Sequence, residues 1–268
     1  MKKHRSLILA LGLGVMFSLS GRDANATLII TVTFGGNTLR VSSASGNAYA
    51  SPGATNNVLA ANTGALNSAI TADGGKFQFS SLGVNSNFTG SGNGATLNLS
   101  GTVYLSGAST YGPITVTAFE TGFTTPVGGG TLYNSTSGNF NDASTSDNFT
   151  GSSSLTNYSG GNPTGSPYST TPLTVASANS SITNPGTGSG TQSVTANGMT
   201  GYQLLDSSTI NLSAGGITDS STPASTTFNV NAQFVGTAVP EPASLVMMLT
   251  GMPLPLVVMG LLRRRRAA

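Results

Sequence analysis

The chain has no cysteine and no tryptophan, a single histidine, and charged side chains at only 7% of its 268 positions. Without cysteine there is no disulfide framework, no thiol nucleophile and no thiolate metal ligand. The one histidine is His4, so everything beyond the first few residues lacks imidazole. That excludes Ser-His-Asp and Cys-His catalysis in the body of the chain, and any ordinary zinc or copper site. No credible helix follows a strand, so none of the glycines opens a phosphate-binding loop. They read as turn residues, and no cofactor is expected. Long apolar runs are scarce as well. There are two, one near each end.

The first lies in an export signal over residues 1–26. Lys2, Lys3, His4 and Arg5 make a positive start, and Leu7 to Leu19 an apolar stretch too short to span a membrane comfortably. Ala24-Asn25-Ala26 supplies a small-x-small cleavage site, so the mature chain is expected to begin at Thr27 after passage through the Sec machinery and signal peptidase.

The second closes the chain. Val239-Pro240-Glu241-Pro242 is held extended by its prolines. Ala243–Leu262 is an uncharged stretch of twenty residues, which as a helix at ~1.5 Å per residue reaches roughly 30 Å, one bilayer core. Arg263, Arg264, Arg265 and Arg266 follow, and by the positive-inside rule they stay cytoplasmic. Pro253 and Pro255 interrupt the span and are expected to kink it. The sequence therefore predicts a transmembrane stop with a marked site on its outer side.

Pro-Glu-Pro, an apolar span and a terminal arginine cluster resemble the PEP-CTERM sorting signal of Gram-negative, exopolysaccharide-producing bacteria. The resemblance covers about a tenth of the chain, residues 239–268. It implies recognition by exosortase, a membrane-embedded enzyme that cuts near the motif and removes the tail. The alternative is a plain one-span anchor, which gives no reason for Pro-Glu-Pro at this place. A weaker resemblance lies in the body. Pro113–Thr124 (PITVTAFETGFT) and Gly201–Gly216 (GYQLLDSSTINLSAGG), with a closing strand before the tail, are similar to an extracellular domain common among PEP-CTERM proteins. It supports fold and context and implies no activity.

With both ends set aside, the body over residues 27–238 has two bases, Arg40 and Lys76, against six acids, Asp73, Glu120, Asp142, Asp147, Asp206 and Asp219, a net charge of −4. The pI of about 9.0 belongs to the targeting ends. A body without a basic stripe is not expected to bind nucleic acid.

Gly, Ser, Thr and Asn crowd this body, but its low net charge and regular apolar alternation favour an ordered β protein over a disordered polymer. Thr27–Phe34, Lys76–Leu82, Ala95–Leu105, Ile114–Phe119, Leu173–Ala176, Tyr202–Leu212 and Thr226–Val235 read as strands. In the last, Phe228, Val230, Ala232 and Phe234 share one face; in Lys76–Leu82 the inward face is Phe77, Phe79 and Ser81. Turn residues punctuate them at Gly35-Gly36-Asn37, Asp73-Gly74-Gly75, Asn93-Gly94 and Asn197-Gly198. Ala60–Ala72 is the one stretch that could make a short helix. Asn134–Asn148 and Gly151–Thr171 read as loops pinned by Phe140, Phe149 and Tyr158. The expected fold is all-β, an antiparallel β-sandwich of jelly-roll type, with a β-helix as the alternative.

The six acids appear scattered over loops and strand ends, where they are expected to be solvated. A carboxylate pair of the glycosidase kind remains formally open among them. Asp142 and Asp147, with Asn139, Asn141 and Asn148 nearby, offer hard oxygen ligands to calcium; an Asx-turn loop without metal is the simpler expectation. Asn-x-Ser/Thr triplets begin at Asn87, Asn98, Asn134, Asn148, Asn157, Asn179 and Asn211, a number that chance explains in this composition. The leading expectation is an exported structural or adhesive protein, not an enzyme, left in the exopolysaccharide or biofilm matrix. The alternative is a carbohydrate-binding module gripping matrix glycan through Tyr and Phe.

Overall fold

The structure, a computed structural model, describes residues 27–44, 46–55, 57–87, 94–106, 110–124, 128–141, 147–159, 162–176, 187–199, 201–213 and 223–236. The chain divides into two units at Gly236, and the fold described belongs to the first. Both targeting segments and the calcium candidate Asp142 lie outside the described residues.

The elements in order are β1 (Ile29–Phe34), β2 (Asn37–Ser42), β3 (Val58–Ala60), α1 (Thr63–Ala72), β4 (Phe77–Ser86), β5 (Gly94–Leu105), β6 (Thr110–Phe123), β7 (Gly128–Asn141), β8 (Asn148–Ser159), β9 (Asn162–Ser169), β10 (Leu173–Ala176), β11 (Thr187–Met199), β12 (Tyr202–Ser213) and β13 (Ser225–Gly236). One sheet runs β10-β8-β12-β6-β1-β2, with β9 also paired to β8; the other runs β11-β7-β13-β5-β4-β3. Pairing between these strands is antiparallel. That sets aside the β-helix, whose coils stack in parallel.

The sheets face each other across one core. Phe149 of β8 packs on Phe140 of β7 and Phe228 of β13, with ring centroids 5.8 and 6.4 Å away. Tyr202 of β12 meets Phe234 of β13 edge-on at 5.3 Å, and Phe34 of β1 meets Phe77 of β4 at 5.2 Å. Such aromatic pairs add to the apolar burial that holds two sheets together. Along β5, β12 and β13 inward and outward residues alternate almost without a break. Phe228, Val230, Ala232 and Phe234 are all buried, as their spacing requires.

α1 begins within the expected stretch, at Thr63. Asn62 caps it, its Oδ1 accepting from the Ala65 N–H at 3.3 Å. Leu66 and Ile70 are its buried face. Asn67 clips it to β4 by donating to Phe79 O at 2.9 Å and accepting from Phe79 N–H at 2.8 Å.

Three expectations need correction. The described residues of Asn134–Asn148 and Gly151–Thr171 are mostly strand and not loop: they supply much of β7, β8 and β9, and β8 is an inner strand of its sheet. Their inward positions include Asn134, Thr136, Gly151 and Ser153, because the two sheets come very close there. A Cβ on Gly151 would lie 2.3 Å from Thr136 Oγ1 and 2.8 Å from Val230 on the facing sheet. Only small or hydrogen-bonded side chains fit such a gap. Second, a β-bulge between Phe79 and Ser81 turns Ser81 outward and puts Leu82 in the core. Third, Asn197-Gly198 is no hairpin turn; it forms a bulge inside β11, with Gly198 at φ +70°.

Candidate functional site

Most of the acids among the described residues lie inside the fold. Among the described residues Glu120, Asp147 and Asp206 are buried, and the exposed charged side chains are Arg40, Asp73 and Lys76. The expectation of solvated carboxylates on loops and strand ends therefore fails at three positions. Glu120 alternates in phase with Ile114, Val116 and Ala118 along β6, and Asp206 with Tyr202, Leu204, Ile210 and Leu212 along β12. A strand whose apolar residues all face the core takes any acid at the same parity in with them.

Asp206 anchors a polar network that crosses between the sheets. Its Oδ2 accepts from the backbone N–H of Ala232 on β13 at 3.3 Å. Ser153 of β8 donates to its Oδ1 at 2.6 Å, and the same hydroxyl lies 3.2 Å from Oδ1 of Asn134 on β7. Asn134 in turn donates to Gly151 O at 3.2 Å and accepts from Thr136 at 3.3 Å. A hydroxyl has one proton, which Ser153 gives to Asp206 at the shorter distance, while Asn134 Oδ1 takes its proton from Thr136. Burial pushes Asp206 well above the usual carboxylate range; the bonds from Ser153 and from the Ala232 and Leu99 amides oppose the shift without cancelling it.

Glu120 is in the opposite condition. It is 0% exposed, and neither carboxyl oxygen has a hydrogen-bond partner of normal geometry. Burial raises it to about 7, and the Ser86 hydroxyl nearby eases that shift only in part. An ionised carboxylate without partners in such a place is costly, so the neutral acid is the form that suits the fold.

These two acids are diagonal neighbours on one sheet face, since Leu204 pairs with Glu120 and Asp206 with Ala118. Such positions lie roughly 7–8 Å apart, within the range of glycosidase carboxylates, which run from ~5 to 9.5 Å. The resemblance to a catalytic pair ends there. Both side chains are fully buried, so neither is open to a substrate, and Asp206 is bonded into the network. Tyr202 beside them is also buried, which pushes its phenol up. The arrangement can hold sheets together; it cannot perform general acid–base chemistry on a polymer from outside.

Surface recesses lie elsewhere. One of about 340 Å³ is lined by Thr110–Gly112 and Asn211–Ser213, and another of about 280 Å³ by residues from Ser43 to Ala54.

Of the site residues read from sequence, Ala24, Ala26, Val239, Pro240, Glu241, Pro242, Arg263, Arg264, Arg265 and Arg266 lie outside the described residues, and Thr27 is the first residue within them. Among the described residues no helix is long and apolar enough to cross a membrane; the expected span over 243–262 is not among them. Asp147 is not poised as an open ligand. It is buried and accepts from the Ser213 N–H at 2.8 Å. No group of three or more His, Cys, Asp and Glu that could hold a metal occurs among the described residues. Of the Asn-x-Ser/Thr positions, Asn134 is ruled out as a glycan acceptor by its place in the core network. No protein-family model matches the chain, and no curated protein matches it significantly.

Proposed function

We propose that this chain is an exported structural or adhesive protein, delivered through its export signal, sorted and trimmed by exosortase through Val239–Pro242, and left in the exopolysaccharide matrix of the cell surface. One observation carries the reading of the body: its described acids are mostly folded inward, which leaves sheet faces of Thr, Ser, Asn and Gln with very little charge. Such a surface gives other macromolecules hydroxyl and amide contacts and no electrostatic selection. The sealed acid pair adds to the case against an enzyme. Within this reading β5 to β13 make a jelly roll. The chain changes sheet from β5 to β6 to β7 to β8, and again from β10 to β11 to β12 to β13, so that β12 and β13 fill the middle of their sheets.

The experiment expresses Pro240→Ala with Glu241→Ala in the native host and follows size and location by immunoblot. Export should persist while trimming is lost, leaving a longer form in the membrane fraction. A variant trimmed and released like the wild type would reduce the tail to an anchor. The competing picture of a glycan grip through Tyr and Phe has less support, because Phe34, Phe77, Phe79, Phe123, Phe140, Phe149, Phe228 and Phe234 are in the core, and among the described phenylalanines Phe119 alone is half-buried on an outer face.

A further inference from the structure

The outer face of the sheet containing β12 is ordered in ranks. Thr38, Thr33, Thr115, Thr209, Thr150 and Thr174 lie side by side in register across six strands. The next rank along the strands is Thr31, Thr117, Ser207 and Ser152, with Arg40 at its β2 edge. Neighbouring hydroxyls are already paired: Thr33 with Thr38 at 3.2 Å, Thr115 with Thr209 at 3.4 Å, and Thr31 with Thr117. A third rank carries the half-buried side chains of Phe119 and Leu205. Hydroxyl ranks beside an apolar strip would mean little alone, since sheet surfaces are often rich in threonine.

The second observation is the recess at the end of this face. β6 bulges opposite β12, so that Gly112 and Pro113 together oppose Asn211 between the pairs Ile114–Ile210 and Tyr111–Leu212. Gly112 is required there, because a Cβ would come within 2.8 Å of Asn211 Oδ1 and 3.2 Å of the Asn211 main chain. The bulge opens the recess of about 340 Å³, lined by Thr110, Gly112, Asn211 and Ser213 together with Tyr111, whose ring turns inward onto Phe77 at 5.2 Å, while the Asn211 amide donates to Asn148 Oδ1 at 3.2 Å. Its size suits a small polar unit. Asn211 lies two residues from Thr209 on the same face of β12, so the recess and the first threonine rank are continuous.

We propose that the recess and the threonine ranks form a binding track for a neutral polysaccharide, one sugar unit lodged beside Asn211, Thr110 and Ser213 and the following units laid across the ranks. The chemistry matches at each part. Sugar hydroxyls both donate and accept, as threonine, serine and asparagine do, and sugar C–H faces suit threonine methyls. No acid or base lies in the recess or the central ranks, so nothing there selects an anionic polymer. Five steps of ~4.7–4.9 Å make a rank roughly 24 Å long, enough for several sugar units. Twist decides between a chain and a crystal: at ~20–25° per strand the ranks turn through roughly 100° over six strands. A rigid crystalline surface would meet two or three strands before parting from the face, whereas a flexible chain follows it.

This track rests on the matrix reading, and its test is separate from it. The full-length chain is run by affinity electrophoresis through gels holding dextran, soluble β-glucan, galactomannan or alginate. At least one neutral polymer should retard it, with alginate inert. Asn211→Ala, and Thr115→Val with Thr209→Val, should each weaken that binding about tenfold, the loss of one or two hydrogen bonds. Thr131→Val, outward on the other sheet, should change nothing. The threonine pair keeps its shape, so it decides the matter even if Asn211→Ala folds poorly. Retardation by alginate alone, by no polymer, or equally in all variants overturns the track. If such a chain still fractionates with the matrix of the native host, the matrix reading stands without it; if the wild type is absent from the matrix, that reading falls whatever the gels show.

Discussion

Asp206 Oδ2 accepts a hydrogen bond from the Ala232 N–H at 3.3 Å, tying a carboxyl on one sheet to the main chain of the other. Around it the interior is filled by Ala118, Ser153, Asn134 and Gly151 instead of large apolar side chains. The middle of this sandwich is therefore closed by hydrogen bonds as well as by packing.

Replacing Asp206 tests that closure. Asp206→Ala leaves the Ala232 amide and the Ser153 hydroxyl without their acceptor, and each buried unsatisfied group costs ~1–3 kcal/mol, so a loss of about 2–4 kcal/mol is expected in urea unfolding. Asp206→Asn keeps the shape and the neutral state, and should cost less than about 1 kcal/mol. If the aspartate were ionised and paired in the fold, the asparagine would be nearly as damaging as the alanine.

Glu120 sets a pH dependence with a definite sign. Its folded-state value of about 7 stands above its ordinary 4.5. Between those values the folded chain holds a proton that the unfolded chain has lost. Stability from this group is thus full below pH ~4.5 and declines as pH rises, the loss being complete a little above 7 and amounting to roughly 3 kcal/mol. Glu120→Gln should match the wild type near pH 4 and exceed it in melting temperature at pH 8. Parallel melting curves for the two proteins across that range would remove Glu120 as the cause.

Gly138 tests the close approach of strands. A Cβ there would lie 2.1 Å from Thr227 O on β13 and 2.7 Å from the ring of Phe149. A main-chain oxygen within a sheet cannot yield as a flexible side chain can. Gly138→Ala should therefore destabilise by about 1–3 kcal/mol, as overpacking does, while Ser137→Ala, at an exposed neighbour, should stay within ~0.5 kcal/mol in the same denaturation assay.

The legible part of the fold was the part with contrast. β5, β12 and β13 alternate Leu, Ile, Val and Phe with polar residues, so period two stands out. β7 and β8 follow the same geometry, but their inward positions hold Gly130, Asn134, Thr136, Gly151 and Ser153 between Leu132, Phe140, Phe149 and Leu155. Hydropathy cannot separate small buried polar residues from exposed ones, and these strands read as loops for that reason. Phe140 and Phe149 did mark the places where the stretch meets the core. The buried acids were within reach of the same reasoning: Asp206 shares the parity of Leu204 and Ile210, and Glu120 that of Val116 and Ala118. The recess at Asn211 left no such mark, because it depends on a bulge that only the register of β6 against β12 reveals.

The central claim, delivery by two processing events to the matrix, is tested most directly by intact-mass and terminal-peptide analysis of the protein recovered from the extracellular matrix of its native host. The mature chain should begin at Thr27 and end at or near Val239–Pro242, without Ala243–Leu262 or the four arginines. Recovery of a chain that still carries Arg263–Arg266, or one that begins at Met1, would contradict the account.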